Sequence, residues 1–274
     1  MSEEAVLIPS AADFLAADLT VGGSTAVLLL PGWGGTRYGP QRILLNTARA
    51  CAEHGFTTLR LDFRGRGDST GSPSSVSLDG MIADVATAAT WLRTQHGIER
   101  FNLVGLCSGG NVALGAASLL ADVDHVCCWS LLPFMEHKAQ ATQQGTHRGQ
   151  LLRQLLRKAF RLETWKKLLR GEANIHGAVQ VIAKDKEGDE GERKRKTSAR
   201  DILHDLESFH GQLHLLYGSR DPEAAGSQAF FEAWCTRHHI PADVTIIPGA
   251  PHNYYTACWS KQVVEQTVSW ITTA

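Results

Sequence analysis

Cys107 stands at the centre of Gly105-Leu106-Cys107-Ser108-Gly109, a Gly-x-nucleophile-x-Gly frame with cysteine as the central residue. Such a frame marks a sharp strand-to-helix turn that holds a nucleophile at a strained apex, with small residues required two places before and two after it. Gly105 and Gly109 meet that requirement for Cys107, whereas a frame centred on Ser108 would need a small residue where Leu106 stands. A cysteine nucleophile needs a base, and the base needs a partner that orients it. Tyr217-Gly218-Ser219-Arg220-Asp221 follows one apolar run and Pro248-Gly249-Ala250-Pro251-His252 follows the last, so Asp221 and His252 are the candidates. Leu30-Pro31-Gly32-Trp33-Gly34-Gly35 follows another run. Its Trp33 or Gly34 amide, with the Ser108 amide, would supply the N–H donors that a tetrahedral oxyanion requires. A helix N-terminus and a neighbouring imidazole favour a thiolate–imidazolium pair of Cys107 with His252. Arg37 and Tyr38, just beyond the glycine loop, are candidates for contact with substrate.

Each piece also has a structural reading. A free cysteine is often a buried, inert thiol. An Asp before a proline, as at Asp221-Pro222, is often a turn residue. With 12 histidines in the chain, most must lie on the surface. The catalytic reading gains from coincidence, because the pieces occur in the order nucleophile, acid, histidine, each at the end of an apolar run.

Those runs read as strands: Ala26 to Leu30, Thr57 to Leu61, Phe101 to Val104, His125 to Leu132, Leu213 to Tyr217 and Val244 to Ile247, with weaker ones at Ala5 to Ile8 and Leu15 to Val21. Helical patterns lie between them at Gln41 to His54, Leu78 to Gln95, Asn111 to Leu120, Gly226 to His238 and Gln262 to Thr272. Strand–helix alternation implies a mostly parallel, eight-stranded sheet with helices on both faces. Functional residues are then expected at the carboxyl ends of the strands.

The alternation breaks between Pro133 and Leu213, a stretch far longer than one crossover requires. From Lys138 to Arg200 there are 16 Lys or Arg against 7 Asp or Glu, while the rest of the chain has 11 against 21. Residues 1–133 and 201–274 are therefore expected to form the core, and 134–200 a basic cap inserted into it. Helical patterns at Gly149 to Phe160 and Glu163 to Leu169, and a charged loop from Lys184 to Lys196, are expected within the cap.

Composition is that of an ordinary globular protein, with 43% hydrophobic residues and a net charge of −1. The first residues are acidic, without the basic-then-apolar pattern of a secretory leader. No apolar run approaches the roughly 20 residues that span a bilayer. The 6 cysteines include no Cys-x-x-Cys pair, and Cys127 and Cys128 adjoin in an apolar run. The expectation is a cytoplasmic protein with reduced thiols, no metal, no organic cofactor and no nucleic-acid module.

Together the Pro-Gly-Trp-Gly-Gly loop, Asp62-Phe63-Arg64-Gly65-Arg66-Gly67-Asp68-Ser69, the elbow, Asp221 and His252 resemble an α/β-hydrolase over essentially the whole core. Arg66-Gly67-Asp68, which spells an adhesion tripeptide, is then a turn of that fold. The closer resemblance is to the hydrolases of bacterial exosortase and exopolysaccharide systems, which share Gly-Leu-Cys at the elbow and a cap like Leu151 to Gly171. Dienelactone hydrolases are similar in their elbow cysteine but lack such a cap. The resemblance implies an ester or thioester hydrolase acting through an acyl-Cys107 intermediate. One alternative is an acyltransferase that moves an acyl group from coenzyme A or an acyl carrier protein, with either one docking on the basic cap. Another is a non-catalytic binding protein on the same fold.

Overall fold

A computed structural model describes residues 2–134, 195–224 and 226–273. The described chain runs β1 (Glu3–Ser10), β2 (Asp13–Thr20), β3 (Thr25–Leu30), α1 (Ile43–Glu53), β4 (Thr57–Leu61), α2 (Leu78–His96), β5 (Arg100–Leu106), α3 (Ser108–Ala117), β6 (Val123–Trp129), α4 (Ile202–Asp205), β7 (Gln212–Gly218), α5 (Ser227–His238), β8 (Ala242–Ile247) and α6 (Ala257–Thr272). All the strands form one eight-stranded sheet in the order β1-β2-β4-β3-β5-β6-β7-β8. The β1–β2 and β2–β4 pairs are antiparallel and every later pair is parallel. The fold class is that of the α/β-hydrolase expectation.

Period-two alternation along buried strands divides the core in two. Leu28, Leu30, Leu103, Val126 and Leu215 pack with Ile82, Val85, Leu114 and Phe231 on one face. Val27, Leu29, Val104, Trp129 and Leu216 pack with Ile43, Leu44, Val263 and Ile271 on the other. Helix α2 shows why these helices begin and end where they do. The Ser77 hydroxyl accepts the Gly80 N–H at its start, and Gly97 closes it in the left-handed region with φ 64. Both are standard stop signals for a helix.

Strand β3 pairs with β4 on one side and with β5 on the other, so the chain reverses its direction of travel across the sheet there. Loops leaving the carboxyl ends of β3 and β5 open into one crevice at such a reversal. A side chain on Gly109 would place its Cβ 2.4 Å from the Leu30 carbonyl oxygen and 2.6 Å from that of Pro31. One on Gly105 would meet the Gly109 carbonyl oxygen at 2.2 Å. Bare backbone at these two positions lets α3 press against the ends of β3 and β5.

Three boundaries differ from the sequence expectation. Strand β6 ends at Trp129 instead of Leu132, because Ser130 turns to a positive φ of 48°. Helix α3 starts at Ser108 instead of Asn111, since the turn at Cys107 supplies its first turn directly. Helix α6 starts at Ala257 instead of Gln262, where the Thr256 hydroxyl accepts the Trp259 N–H. Apart from Phe134 and residues 195–200, the expected cap lies outside the described residues, as do its helical patterns. Among the described residues no helix is long and apolar enough to cross a membrane.

The close approach at Gly109 has a measurable cost. Gly109→Ala is expected to lose about 3 kcal/mol in urea unfolding, as forced overpacking does. Gly34→Ala, whose Cβ would meet nothing within 4 Å, should change stability by no more than about 0.5 kcal/mol. Equal effects at the two positions would remove the constraint.

Candidate active site

Cys107 is the single residue between β5 and α3. Its backbone is at φ 56 and ψ −122, a strained conformation for any residue with a Cβ. Its N–H donates to the Trp129 carbonyl at 2.8 Å and its own carbonyl accepts the Gly110 N–H at 2.9 Å, so the apex is pinned on both sides. Cys107 is partly exposed, while Cys51, Cys127, Cys128 and Cys235 are buried. Burial pushes the Cys51 and Cys235 thiols up to about 12. It raises Cys127 and Cys128 further still. These four are core thiols, as read for Cys127 and Cys128 from the sequence.

Asp221 follows β7. Its Oδ1 accepts the N–H groups of Glu223 and Ala224 at 2.9 and 3.2 Å. Its Oδ2 accepts Nδ1–H of His252 at 2.8 Å, with the carboxylate only 1% exposed. Burial works to raise the Asp221 carboxyl, but hydrogen bonds from His252, Ser130 and Ala224 outweigh it and hold the group below the usual carboxylate range. Gly218 makes the approach of the two loops possible, because a Cβ there would lie 2.2 Å from the Ala250 carbonyl oxygen.

His252 follows β8 and is buried between Asp221 and Cys107. Desolvation works to lower its pKa. The hydrogen bonds to Asp221 and to the Cys107 sulfur, with the charges of both partners, reverse the balance and raise it to about 10. The arrangement therefore holds a protonated imidazole between a carboxylate and a sulfur at neutral pH. Asp221, His252 and Cys107, read separately from the sequence, are in one hydrogen-bonded row.

The oxyanion candidates lie beside it. The Pro31–Gly35 loop turns through a Gly35 N–H to Gly32 carbonyl bond of 2.9 Å. It rests on the elbow so closely that a Cβ on Gly32 would lie 3.3 Å from the Leu106 carbonyl oxygen. Ser108 opens α3, so its N–H has no acceptor within the helix. The Trp33 N–H, however, donates to the Ser108 hydroxyl at 2.6 Å. The two amides are neighbours, and the Ser108 side chain occupies one of them. Gly34 is exposed, and nothing crowds its Cα.

Arg37 is placed differently from the expectation of a substrate contact. Its side chain is 10% exposed and ion-pairs with Asp18 at 3.0 Å, with Asp68 at 2.8 Å, and with Asp62. Desolvation opposes its charge, but the hydrogen bond to Asp68 and the charges of Asp62 and Asp18 raise its pKa further still. This guanidinium holds loops together, and Arg37 leaves the list of substrate residues. Tyr38 is 40% exposed and lies under the Arg37 and Arg60 guanidinium groups, 5.0 and 5.2 Å from its ring centre.

Two residues that sequence reasoning passed over hold the histidine loop. The Ser130 hydroxyl donates to the His252 carbonyl at 3.0 Å and shares a hydrogen bond of 2.8 Å with the Tyr254 hydroxyl. Tyr254 is fully buried and donates to the Leu216 carbonyl at 3.1 Å. Both residues have a φ of 48°, which no short-range signal announces. Glu223 is also present, its carboxylate 3.8 Å from His252 Nε2 and 62% exposed.

A family profile described as alpha/beta hydrolase fold matches residues 25–163, just over half of the chain. The human curated protein ABHD12B is 31% identical over 100 residues, a match that covers 36% of this chain and 26% of that protein's length. Among solved structures, the mouse alpha/beta hydrolase domain-containing protein 10 is 17% identical with a TM-score of 0.64, covering 98% of both chains. An alpha-beta serine hydrolase homologue from Coxiella burnetii is 16% identical with a TM-score of 0.63 and 99% coverage of both chains. The dienelactone hydrolase of Anabaena variabilis is 15% identical with a TM-score of 0.64, over 98% of this chain and 96% of that one.

The raised His252 pKa has a definite sign. A group whose pKa rises on folding contributes stability that is fully present below its unfolded value of 6.5 and is lost as pH climbs through about 10. The gap in melting temperature between wild type and His252→Gln should therefore narrow from pH 6.5 to pH 10. In imidazole NMR titrations the His252 midpoint should fall in Asp221→Asn and in Cys107→Ala. An unmoved midpoint in both variants would contradict the hydrogen-bonded row.

Proposed function

Because the chain belongs to the alpha/beta hydrolase fold family, we propose that it is an esterase or thioesterase that works through an acyl-Cys107 intermediate. The observation that supports this most is the hydrogen-bonded row Asp221–His252–Cys107 at the carboxyl ends of the strands. The Cys107 thiolate attacks the acyl carbon, and a sulfur–carbon bond forms as the carbonyl becomes an oxyanion. As the intermediate collapses, the bond to the alcohol or thiol breaks, and that group leaves with the His252 proton. Neutral His252 then takes a proton from water as the oxygen attacks the thioester. Collapse releases the carboxylic acid and restores the thiolate and the imidazolium. Asp221 holds the ring in the tautomer that both halves need.

The amides of Ser108 and Trp33 are the proposed oxyanion donors, with Gly34 as the next along the loop. For Trp33 to take part, the Ser108 hydroxyl must rotate off its N–H, which a single side-chain torsion allows. Tyr38, on the rim beyond this loop, stays a proposed substrate contact.

The sulfur also supports a second reading. A thiolate is a good leaving group as well as a good nucleophile, so acyl exchange with another thioester is close to balanced. Thioesters of coenzyme A or an acyl carrier protein then fit as donors, and an alcohol or amine in place of water makes the protein an acyltransferase. The basic run from Lys138 to Arg200 suits either anionic donor. Cytoplasmic residence fits such donors and the reduced thiols.

Intact mass spectrometry after incubation with simple acyl-thioesters should show one added acyl group on wild type and none on Cys107→Ala. Asp221→Asn should slow turnover roughly 10^4-fold, as loss of the orienting carboxylate does elsewhere. Decay of the adduct in buffer alone, or only with added amine or alcohol, separates the hydrolase from the transferase. A protein that takes up no acyl group, and whose Cys107 is alkylated no faster than its exposed Cys258, would be a binding protein.

A further inference from the structure

The loop after β4 is crowded with charge, and most of that charge is matched. Asp62 and Asp68 pair with Arg37. Arg64 Nε donates to Asp84 at 2.6 Å. Arg66 differs. Its Nε is buried without a hydrogen-bond partner, and among the described residues no carboxylate pairs with it. Its guanidinium carbon instead lies 5.9 Å from the centre of the Trp33 ring. The loop itself is well held, with Arg66 N–H on the Phe63 carbonyl at 2.9 Å and Ser69 N–H on the Arg66 carbonyl at 3.0 Å.

A second cation reaches the same ring from a remote part of the chain. Lys196 Nζ lies 5.2 Å from the Trp33 ring centre. Its segment is tied to the start of α2, where Asp79 accepts the Ser198 hydroxyl at 2.5 Å and the Ala199 N–H at 2.9 Å. Arg195 adds a bond to the Ser74 carbonyl at 3.3 Å. Two segments, each anchored separately, thus bring a positive charge to one indole.

That indole belongs to the residue whose amide reaches Ser108 beside the nucleophile. The nearby carboxylate Glu223 is directed to His252. Two like charges gathered on one ring repel each other, and an anion beside them relieves the repulsion and meets the unpartnered Nε. An arginine fork and an ammonium are the groups that recognise carboxylates and phosphates.

We propose that Arg66 and Lys196, gathered on the Trp33 ring at the rim of the oxyanion loop, bind an anionic substituent of the substrate, a carboxylate or a phosphate. The site rests on the acyl-enzyme reading for its role in turnover, and not for its existence. It makes the preferred substrate an acyl compound with negative charge at one end, either on the acyl chain or on the leaving group.

Matched thioesters separate these sources. Butyryl-N-acetylcysteamine is neutral, succinyl-N-acetylcysteamine has a carboxylate on the acyl chain, and butyryl-coenzyme A has phosphates on the leaving group. Wild type should favour one of the two anionic substrates over the neutral one by about tenfold or more in kcat/KM, equivalent to roughly 1.4 kcal/mol. Arg66→Gln and Lys196→Gln should each cut that preference several-fold and leave the neutral substrate within about twofold, while Arg66→Lys should retain part of it. Added salt should erode the preference, since the pairs are partly exposed. No preference in wild type, or an equal loss on all three substrates in both variants, overturns the proposal.

Alkylation of Cys107 gives a readout that needs no turnover. The rate with anionic iodoacetate relative to neutral iodoacetamide should fall in both Gln variants. If no thioester acylates the protein but this ratio still falls, the anion site stands and the acyl-enzyme reading fails. If the ratio is unchanged in both variants, the anion site fails.

Discussion

The architecture depends on how closely bare backbone can approach bare backbone at the end of β5. Gly105 and Gly109 are the two positions where a single added carbon would collide with carbonyl groups of α3, β3 and the Pro31–Gly35 loop. Their contact sets the height of α3 over the sheet. That height places Cys107 at the apex, Ser108 beneath the Trp33 amide, and the glycine loop against both. The strain at Cys107 follows from the same contact, because the chain must pass from strand to helix within one residue.

The second requirement is electrostatic, and it is met from the far side of the sheet. His252 keeps its proton because two partners stabilise the charge by more than burial opposes it. Neither partner is its sequence neighbour. Asp221 comes from the loop after β7 and Cys107 from the turn after β5. The parallel order of β5, β6 and β7 brings both within reach of the β8 loop. The buried cysteines show what the same core does to a thiol without such company, where burial alone drives the pKa up.

Much of this was legible in the sequence, for specific reasons. Strands buried on both faces are written as continuous apolar runs, and glycine at fixed distances from Cys107 is a steric signature that survives without any alignment. What was not legible depends on contacts between distant segments. Arg37 looked like a residue at the mouth of the site, and only the approach of Asp18, Asp62 and Asp68 shows that it is consumed within the fold. Ser130 was absorbed into a strand pattern, since nothing nearby in the chain signals its positive φ or its bond to Tyr254, 124 positions away. The Ser108 hydroxyl is a similar case: its residue type was visible, but its placement on the Trp33 amide was not.

The Ser130–Tyr254 contact has a consequence for how such a protein changes over generations. The loop that bears His252 is fastened to the ends of β6 and β7, through the Ser130 hydroxyl and the Leu216 carbonyl. Its position is therefore inherited from the sheet. Segments that roof the crevice can diversify under selection for new ligands without disturbing the alignment of the proton-transfer groups. The molecule separates a slow-changing chemical module from a fast-changing recognition module, and a buried tyrosine is part of the boundary between them.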